Sequence, residues 1–90
     1  MNPRVRDLYK RILLVGRDYP NPNPSKYASG LDWVKAKAKP WFAQNAALTD
    51  EIEIRKAVAV GRFQVREMTA VIQFKKYRHL QREYNLYKEN

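Results

Sequence analysis

The side chains able to do chemistry in this sequence are few, and nearly all of them are cations. A single histidine, His79, stands among Lys76, Arg78 and Arg82. Neighbouring positive charge disfavours its protonated form, which makes a poor place for an acid catalyst or a metal. Asp50, Glu51 and Glu53 cluster where a helix is predicted to begin. Negative charge is favoured there by the helix dipole, so capping accounts for the three acids without catalysis. There is no Cys, no glycine-rich phosphate loop and no paired His/carboxylate spacing. No enzyme is expected. What remains is cationic binding chemistry, carried by Arg6, Lys10 and Arg17 near the start, Lys35, Lys37 and Lys39 in the middle, and Lys75 to Arg82 near the end.

The totals agree. In 90 residues, 18 Lys and Arg oppose 9 Asp and Glu, a net charge of +9 that points to an anionic partner. Hydrophobic residues at 44% and aromatics at 12% are enough for a folded domain rather than a disordered one. A chain this short is expected to form one domain that buries about 60–65% of its unfolded surface, which leaves little room for a deep cleft. Lacking disulfides, it must gain its stability from apolar packing or from a partner. No run of about 18 apolar residues is present, so no membrane span is expected. The segment from Met1 to Arg17 carries five basic residues and one acid, Asp7, which resembles a mitochondrial targeting segment. It lacks Ser and has the periodicity of a packed helix, so it reads as a structural helix that doubles as an uncleaved import signal.

Three helices must position these cations. The first spans about residues 3–18 and ends where Pro20, Pro22 and Pro24 forbid both helix and strand ladders. The second is predicted over 24–45, with Asn23 as cap and Pro24 at the first helical position. Pro40 inside it predicts a kink or a break. The third opens after Asp50, with Glu53 in capping-box position, and meets no proline to the end. Over 51–87 it would reach about 55 Å. Sustained period-2 alternation and hairpin turn signals are lacking. The fold class is all-α, a three-helix antiparallel bundle in a single domain, 1–90, with a long protruding C-terminal helix.

On the first helix, steps of about 100° place Leu8, Ile12, Val5, Gly16, Tyr9 and Leu13 on one arc of about 140°. Arg6, Arg17 and Lys10 border it. Such a border suits an amphiphilic anion, although basic side chains also simply snorkel beside a buried face. The second helix repeats Tyr27, Leu31, Val34, Ala38, Trp41 and Phe42 at helical spacing, and Trp33 or Trp41 could face a partner as readily as a core. In the third, Ile54, Val58, Gly61, Val65, Met68 and Ile72 form a packing seam in which Gly61 admits a close neighbour. A second stripe, Phe63, Ala70, Phe74 and Tyr77, lies well off that seam, to be wrapped by the other helices or used in a protein contact. Beyond it Lys75, Lys76, Arg78, His79 and Arg82 interleave with Tyr77, Tyr84 and Tyr87 and should protrude past the two shorter helices.

Leu8-Tyr9-Lys10-Arg11 resembles the signature of the LYR-motif family of small basic mitochondrial three-helix proteins. Gly16-Arg17-Asp18-Tyr19-Pro20, Phe42 with Asn45, Gly61-Arg62-Phe63, Arg66-Glu67-Met68, Lys76-Tyr77-Arg78 and Arg82-Glu83-Tyr84 extend the likeness over nearly the full length. The pattern is most similar to the electron transfer flavoprotein regulatory factor branch.

The resemblance implies an adaptor of the mitochondrial matrix, with no cofactor of its own, that binds the acidic acyl carrier protein and takes its phosphopantetheine-linked acyl chain into the bundle. The branch implies a second partner, electron transfer flavoprotein, whose FAD it displaces to lower electron flow from fatty-acid oxidation. Leu8 and Tyr9 match the motif. Lys10 stands where the family has Arg, keeping the charge but losing the bidentate fork, with Arg11 adjacent. Phe42 matches a downstream Phe, but Ala43 follows it where a basic residue is common, and Lys35, Lys37 and Lys39 can take that role. With Arg6 and Arg17 these residues are expected to hold the carrier and its phosphate. Val5, Ile12, Gly16, Val58, Gly61 and Val65 are expected to line the acyl tunnel. Burying about ten methylenes at ~0.8 kcal/mol each would be worth about 8 kcal/mol gross, comparable with a small domain's whole stability. Phe74, Lys76, Tyr77, Arg78, Arg82 and Tyr84 are expected to meet the flavoprotein. Two other functions fit the residues: a LYR assembly factor or accessory subunit of a respiratory complex, and a basic helical nucleic-acid-binding domain, which would show steep salt dependence.

Overall fold

The computed structural model describes the backbone of residues 1–89 and the side chains through Leu86. Three α-helices account for the regular structure among them: α1 (Pro3–Gly16), α2 (Gly30–Asn45) and α3 (Glu51–Glu89). The fold is all-α, as the periodicity predicts.

Local chemistry sets the outer starts. Asn2 caps α1 by accepting the Arg4 amide on Oδ1 at 2.9 Å, and Pro3 follows at the position where a missing N–H costs nothing. Asp50 caps α3 through its carboxylate, which accepts the Glu53 amide at 3.4 Å, and through its carbonyl, which accepts the Ile54 amide at 2.9 Å.

The start of α2 departs from expectation. Asn23 and Pro24 open only one turn, in which the Asn23 carbonyl accepts the amides of Lys26 and Tyr27 at 3.1 and 3.0 Å. The turn does not propagate because the Asn21 side-chain amide donates to the Tyr27 carbonyl at 2.7 Å, removing an acceptor that a continuing helix would use. The helix begins instead at Gly30, with Ser29 Oγ accepting the Asp32 amide at 3.2 Å. Gly30 lies so close under the Tyr19 carbonyl that any Cβ there would collide with its oxygen. Pro40 does not split α2, which runs through it to Asn45. The proline leaves the Ala36 carbonyl without its intrahelical donor, and Ala36 is exposed, so water can take that bond.

α1 is the centre of the packing, with α2 and α3 laid against it. Tyr9 meets Phe42 while Gly16 meets Leu31 and Val34, so α2 runs antiparallel to α1. Arg4 meets Glu51 while Leu8 meets Gly61, so α3 runs the same way as α1. Val5, Leu8, Ile12, Val34, Phe42, Ile54, Val58 and Val65 form one core, and among the described residues no polar or charged side chain is buried. Direct packing between α2 and α3 is sparse, which leaves a gap along that side.

The predicted α3 seam is the buried one, with Met68 partly covered and Ile72 the last buried residue. From Gln73 through Leu86 every residue is exposed. The helix of 39 residues, about 58 Å at 1.5 Å per residue, therefore sets the 61 Å long axis of the molecule. Among the described residues no helix is long and apolar enough to cross a membrane.

Candidate binding site

The Leu8-Tyr9-Lys10-Arg11 segment splits by face. Leu8 is buried against Gly61, and Tyr9 stands edge-on to Phe42 with ring centroids 4.7 Å apart. Phe42 in turn packs edge-on against Trp41 at 4.6 Å. An edge-to-face trio of this kind adds to simple area burial and fixes the angle between α1 and α2. Lys10 and Arg11 turn outward. The two apolar motif residues thus build the bundle, and the two basic ones face what lies outside it.

An apolar groove of about 300 Å³ fills the gap between α2 and α3. Ile12 and Gly61 form its floor, with Tyr19 at one end. Trp33, Val34, Ala38, Trp41 and Phe42 line the α2 wall, and Val60, Met68 and Val71 the α3 wall. Tyr19 and Trp33 stack face to face at 5.3 Å with only 4° between their planes, so the loop after α1 is anchored to the groove. Lys37 extends over Trp33 at 6.0 Å from the ring centroid and stands at the rim, with Glu67 on the α3 side. The volume lies at the lower end for small-ligand sites, and the lining is mostly aliphatic and aromatic, as an acyl chain requires.

The residues expected to line the acyl tunnel do not come together in one place. Ile12 and Gly61 border the α2–α3 groove, whereas Val58 and Val65, on the same buried face of α3, line a separate depression between α1 and α3. Val5 is wholly enclosed in the core, and Gly16 abuts Val34 and Leu31 at 3.1–3.3 Å. The expected basic border is dispersed as well. Arg6, Lys10 and Arg17 are exposed on α1 and at its end, and Arg6 reaches Asp7 at 3.8 Å. Lys35 and Lys39 are exposed on α2, and of the three lysines only Lys37 lines the groove. Trp33, Trp41, Val60, Met68 and Val71 were not among the expected lining residues. Their signal was present, since Val60, Gln64, Glu67 and Val71 follow a helical repeat on α3, but periodicity does not say that a second helix stands across from it.

A second depression of about 330 Å³ lies between α1 and α3. Arg4, Asp7 and Arg11 come from α1, and Arg62 and Arg66 from α3, over a floor of Leu8, Val58 and Val65. At its edge Arg4 Nη2 donates to Glu51 Oε2 at 2.7 Å and to Oε1 at 2.9 Å. The hydrogen bond and charge of Arg4, with a smaller share from Arg55, hold the Glu51 carboxyl below its ordinary range, and Arg4 is raised in return.

On the distal part of α3, Phe74, Lys76, Tyr77, Arg78, Arg82 and Tyr84 are all exposed, Phe74 at 64% and Tyr77 at 59%. The second apolar stripe is left uncovered by α1 and α2, with Phe63 at 56%. The Tyr87 side chain lies outside the described residues. His79 Nε2 approaches Glu83 Oε1 at 2.9 Å, an i,i+4 neighbour that offsets the surrounding positive charge. Among the described residues no group of three acidic or histidine side chains is placed to hold a metal.

This arrangement has relatives among known proteins. Mouse electron transfer flavoprotein regulatory factor 1 is 34% identical over 80 residues, covering 89% of this chain and 84% of the mouse protein. Zebrafish LYR motif-containing protein 5B is 32% identical over 80 residues, covering 89% of this chain and 86% of that protein. An electron transfer flavoprotein regulatory factor 1 homolog from Dictyostelium discoideum is 35% identical over 82 residues, 91% of this chain, which spans 47% of that relative's length. No solved structure matches the chain. The family model described as Complex 1 protein (LYR family) matches residues 3–67. That stretch opens at the capped start of α1 and closes on the α3 wall of the apolar groove, so the matched region takes in the packed bundle, and the chain belongs to the LYR family.

Proposed function

We propose that this chain is an adaptor of the mitochondrial matrix that binds an acyl carrier protein and regulates electron transfer flavoprotein by promoting loss of its FAD, so lowering electron flow from fatty-acid oxidation. The observation that carries the regulatory part is the similarity, at 34% identity over 80 residues, to a protein named for regulating that flavoprotein. The carrier part is supported by the apolar groove between α2 and α3, rimmed by Lys37, in a molecule whose charge of +9 suits an acidic partner.

In this reading the carrier supplies a phosphopantetheine-linked acyl chain and the protein has no cofactor of its own. Lys10, Arg11, Lys35, Lys39, Arg6 and Arg17 steer and hold the acidic carrier. Ile12, Gly61 and the two tryptophans receive the chain. The exposed Phe74 to Tyr84 segment meets the flavoprotein, because it is basic, aromatic and uncovered by the rest of the bundle.

Flavin fluorescence tests the reading directly. Purified electron transfer flavoprotein is titrated with this protein in the presence of acylated carrier, and saturating FAD release at fixed stoichiometry is expected. Carrier binding without release would move the client to a respiratory complex, a reading that the matched family's description as a Complex 1 protein favours.

A further inference from the structure

Apart from Arg11, which the proposed carrier contact also uses, the depression between α1 and α3 takes no part in the proposed adaptor role. It lies across the core from the apolar groove, and four arginines rim it: Arg4 and Arg11 from α1, Arg62 and Arg66 from α3. Arg4 and Arg11 are seven residues apart, about 10 Å along the helix, while Arg62 and Arg66 are one turn apart. Two short rows of guanidinium groups therefore face one another across aliphatic ground made by Leu8, Val58 and Val65.

The glutamates nearest these rows on α3 are paired or turned away, Glu67 lining the α2–α3 groove instead. Glu51 is taken by Arg4 and Arg55, and Glu53 by Lys56. Among the described residues Arg11, Arg62 and Arg66 make no ion pair, and Asp7 is the one acid in the lining. Three free guanidinium groups against one carboxylate leave an excess of two positive charges in a cavity of about 330 Å³. Like charges one helical turn apart destabilise a helix, and an anion between or above Arg62 and Arg66 relieves that repulsion. Guanidinium forks bind phosphoryl oxygens in bidentate geometry, and an excess of two positive charges is matched by two linked phosphoryl groups better than by one. The phosphodiester of a carrier's prosthetic group, with a single charge, does not match the excess. The aliphatic floor asks for an apolar or planar portion beside the phosphates.

We infer that the α1–α3 depression is a binding site for an organic diphosphate, its phosphoryl groups held by Arg11, Arg62 and Arg66 and its apolar portion resting on Leu8, Val58 and Val65. The site needs neither the carrier nor the flavoprotein. Arg4 is held in place at its edge by Glu51 and closes that end.

Methyl NMR of the full chain, with ADP and inorganic pyrophosphate as probes, tests the inference. Saturable shifts of the Leu8, Val58 and Val65 methyls are expected with ADP. Arg11→Gln and Arg66→Gln should each weaken binding roughly tenfold or more, as expected for a lost hydrogen bond between charged groups. A control that removes two charges elsewhere, Lys26→Gln with Lys56→Gln, should leave it within about twofold, since distant exposed charges are screened. The unperturbed spectrum of each variant reports that it is folded. Absence of saturable shifts, or equal weakening in the control, overturns the site. Vesicles of phosphatidylcholine and phosphatidylglycerol that shift the same methyls while ADP does not would also overturn it, and would make the α1–α3 depression a lipid headgroup contact.

Discussion

Leu8 sits directly on Gly61, its Cδ2 occupying the space that a Cβ at position 61 would need. This contact joins the LYR-family motif of α1 to the middle of α3 and sets how closely the two helices approach. Gly61→Val should therefore overpack the seam and destabilise the protein by about 1–3 kcal/mol. Adding Leu8→Ala should recover part of that loss, because the same space is being vacated. Urea denaturation of the two single variants and the double variant reads the coupling, and strictly additive losses would show that the residues do not share it.

The three glycines are not equivalent. A Cβ at Gly30 would collide with the backbone carbonyl of Tyr19, which has no rotamer to change. Gly30→Ala should cost about 3 kcal/mol or more by pushing the start of α2 off the loop. At Gly16 the nearest atoms are side-chain carbons of Val34 and Leu31 at 3.1–3.3 Å, which can give slightly. Gly16→Ala should stay within about 1 kcal/mol of the parent, since alanine's better helix propensity, worth up to about 1 kcal/mol, offsets the crowding. Thermal melts of the two variants should separate them clearly.

The link between Arg4 and Glu51 predicts a pH dependence of known sign. The folded-state carboxyl of Glu51 is held below its ordinary range, chiefly by its hydrogen bond from Arg4. A depressed carboxyl stabilises the folded state above its unfolded pKa and loses that contribution as pH falls through the folded value. Glu51→Gln should thus melt lower than the parent at neutral pH and converge with it in acid. Both groups are exposed, so added salt should shrink the difference. A gap that widened on acidification would contradict the assignment.

Filling the α2–α3 groove separates folding from ligand capture. Ala38 is only partly buried on its α2 wall, and Ala38→Trp should occupy the groove while keeping the helix. The melting temperature of the free chain should change little. In the proposed adaptor role, acylated carrier should stabilise the parent more than unacylated carrier does, and this variant should lose the difference. If the variant still responded to acylation, the chain would be held elsewhere.

Among the described residues α3 has no buried side chain after Ile72. Removing the chain from residue 74 onward should leave the cooperative unfolding of the bundle almost unchanged, since Phe74 through Leu86 are all exposed. In the full chain, amides beyond about residue 76 should exchange far faster than those between Ile54 and Ile72. The truncated protein should also lose flavoprotein binding if Phe74 to Tyr84 form that contact. Charge reversals at Lys76, Arg78 and Arg82 test the same surface without shortening the helix.

Much of this molecule is written locally. Asn2 with Pro3 and Asp50 with Glu53 mark helix starts through bonds to their own neighbours. The repeat from Ile54 to Ile72 marks the buried face of α3, and the length of the proline-free stretch implies the protrusion. Even the Leu8-Tyr9-Lys10-Arg11 pattern separates inward from outward side chains on its own helix. The tertiary structure decided what depends on a second element. Asn21 and the Tyr19 carbonyl moved the start of α2 from residue 24 to Gly30, a competition between side chain and backbone that helix signals at Asn23 and Pro24 do not register. The same packing left the Phe63 to Tyr77 stripe open, put the apolar groove beside Trp33 and Trp41 while Val58 and Val65 floor a separate, arginine-rimmed depression, and set Arg11 across from Arg62 and Arg66. Periodicity records which way a residue faces on its own helix, but the space between helices and the charges that meet across it exist only once the axes are placed.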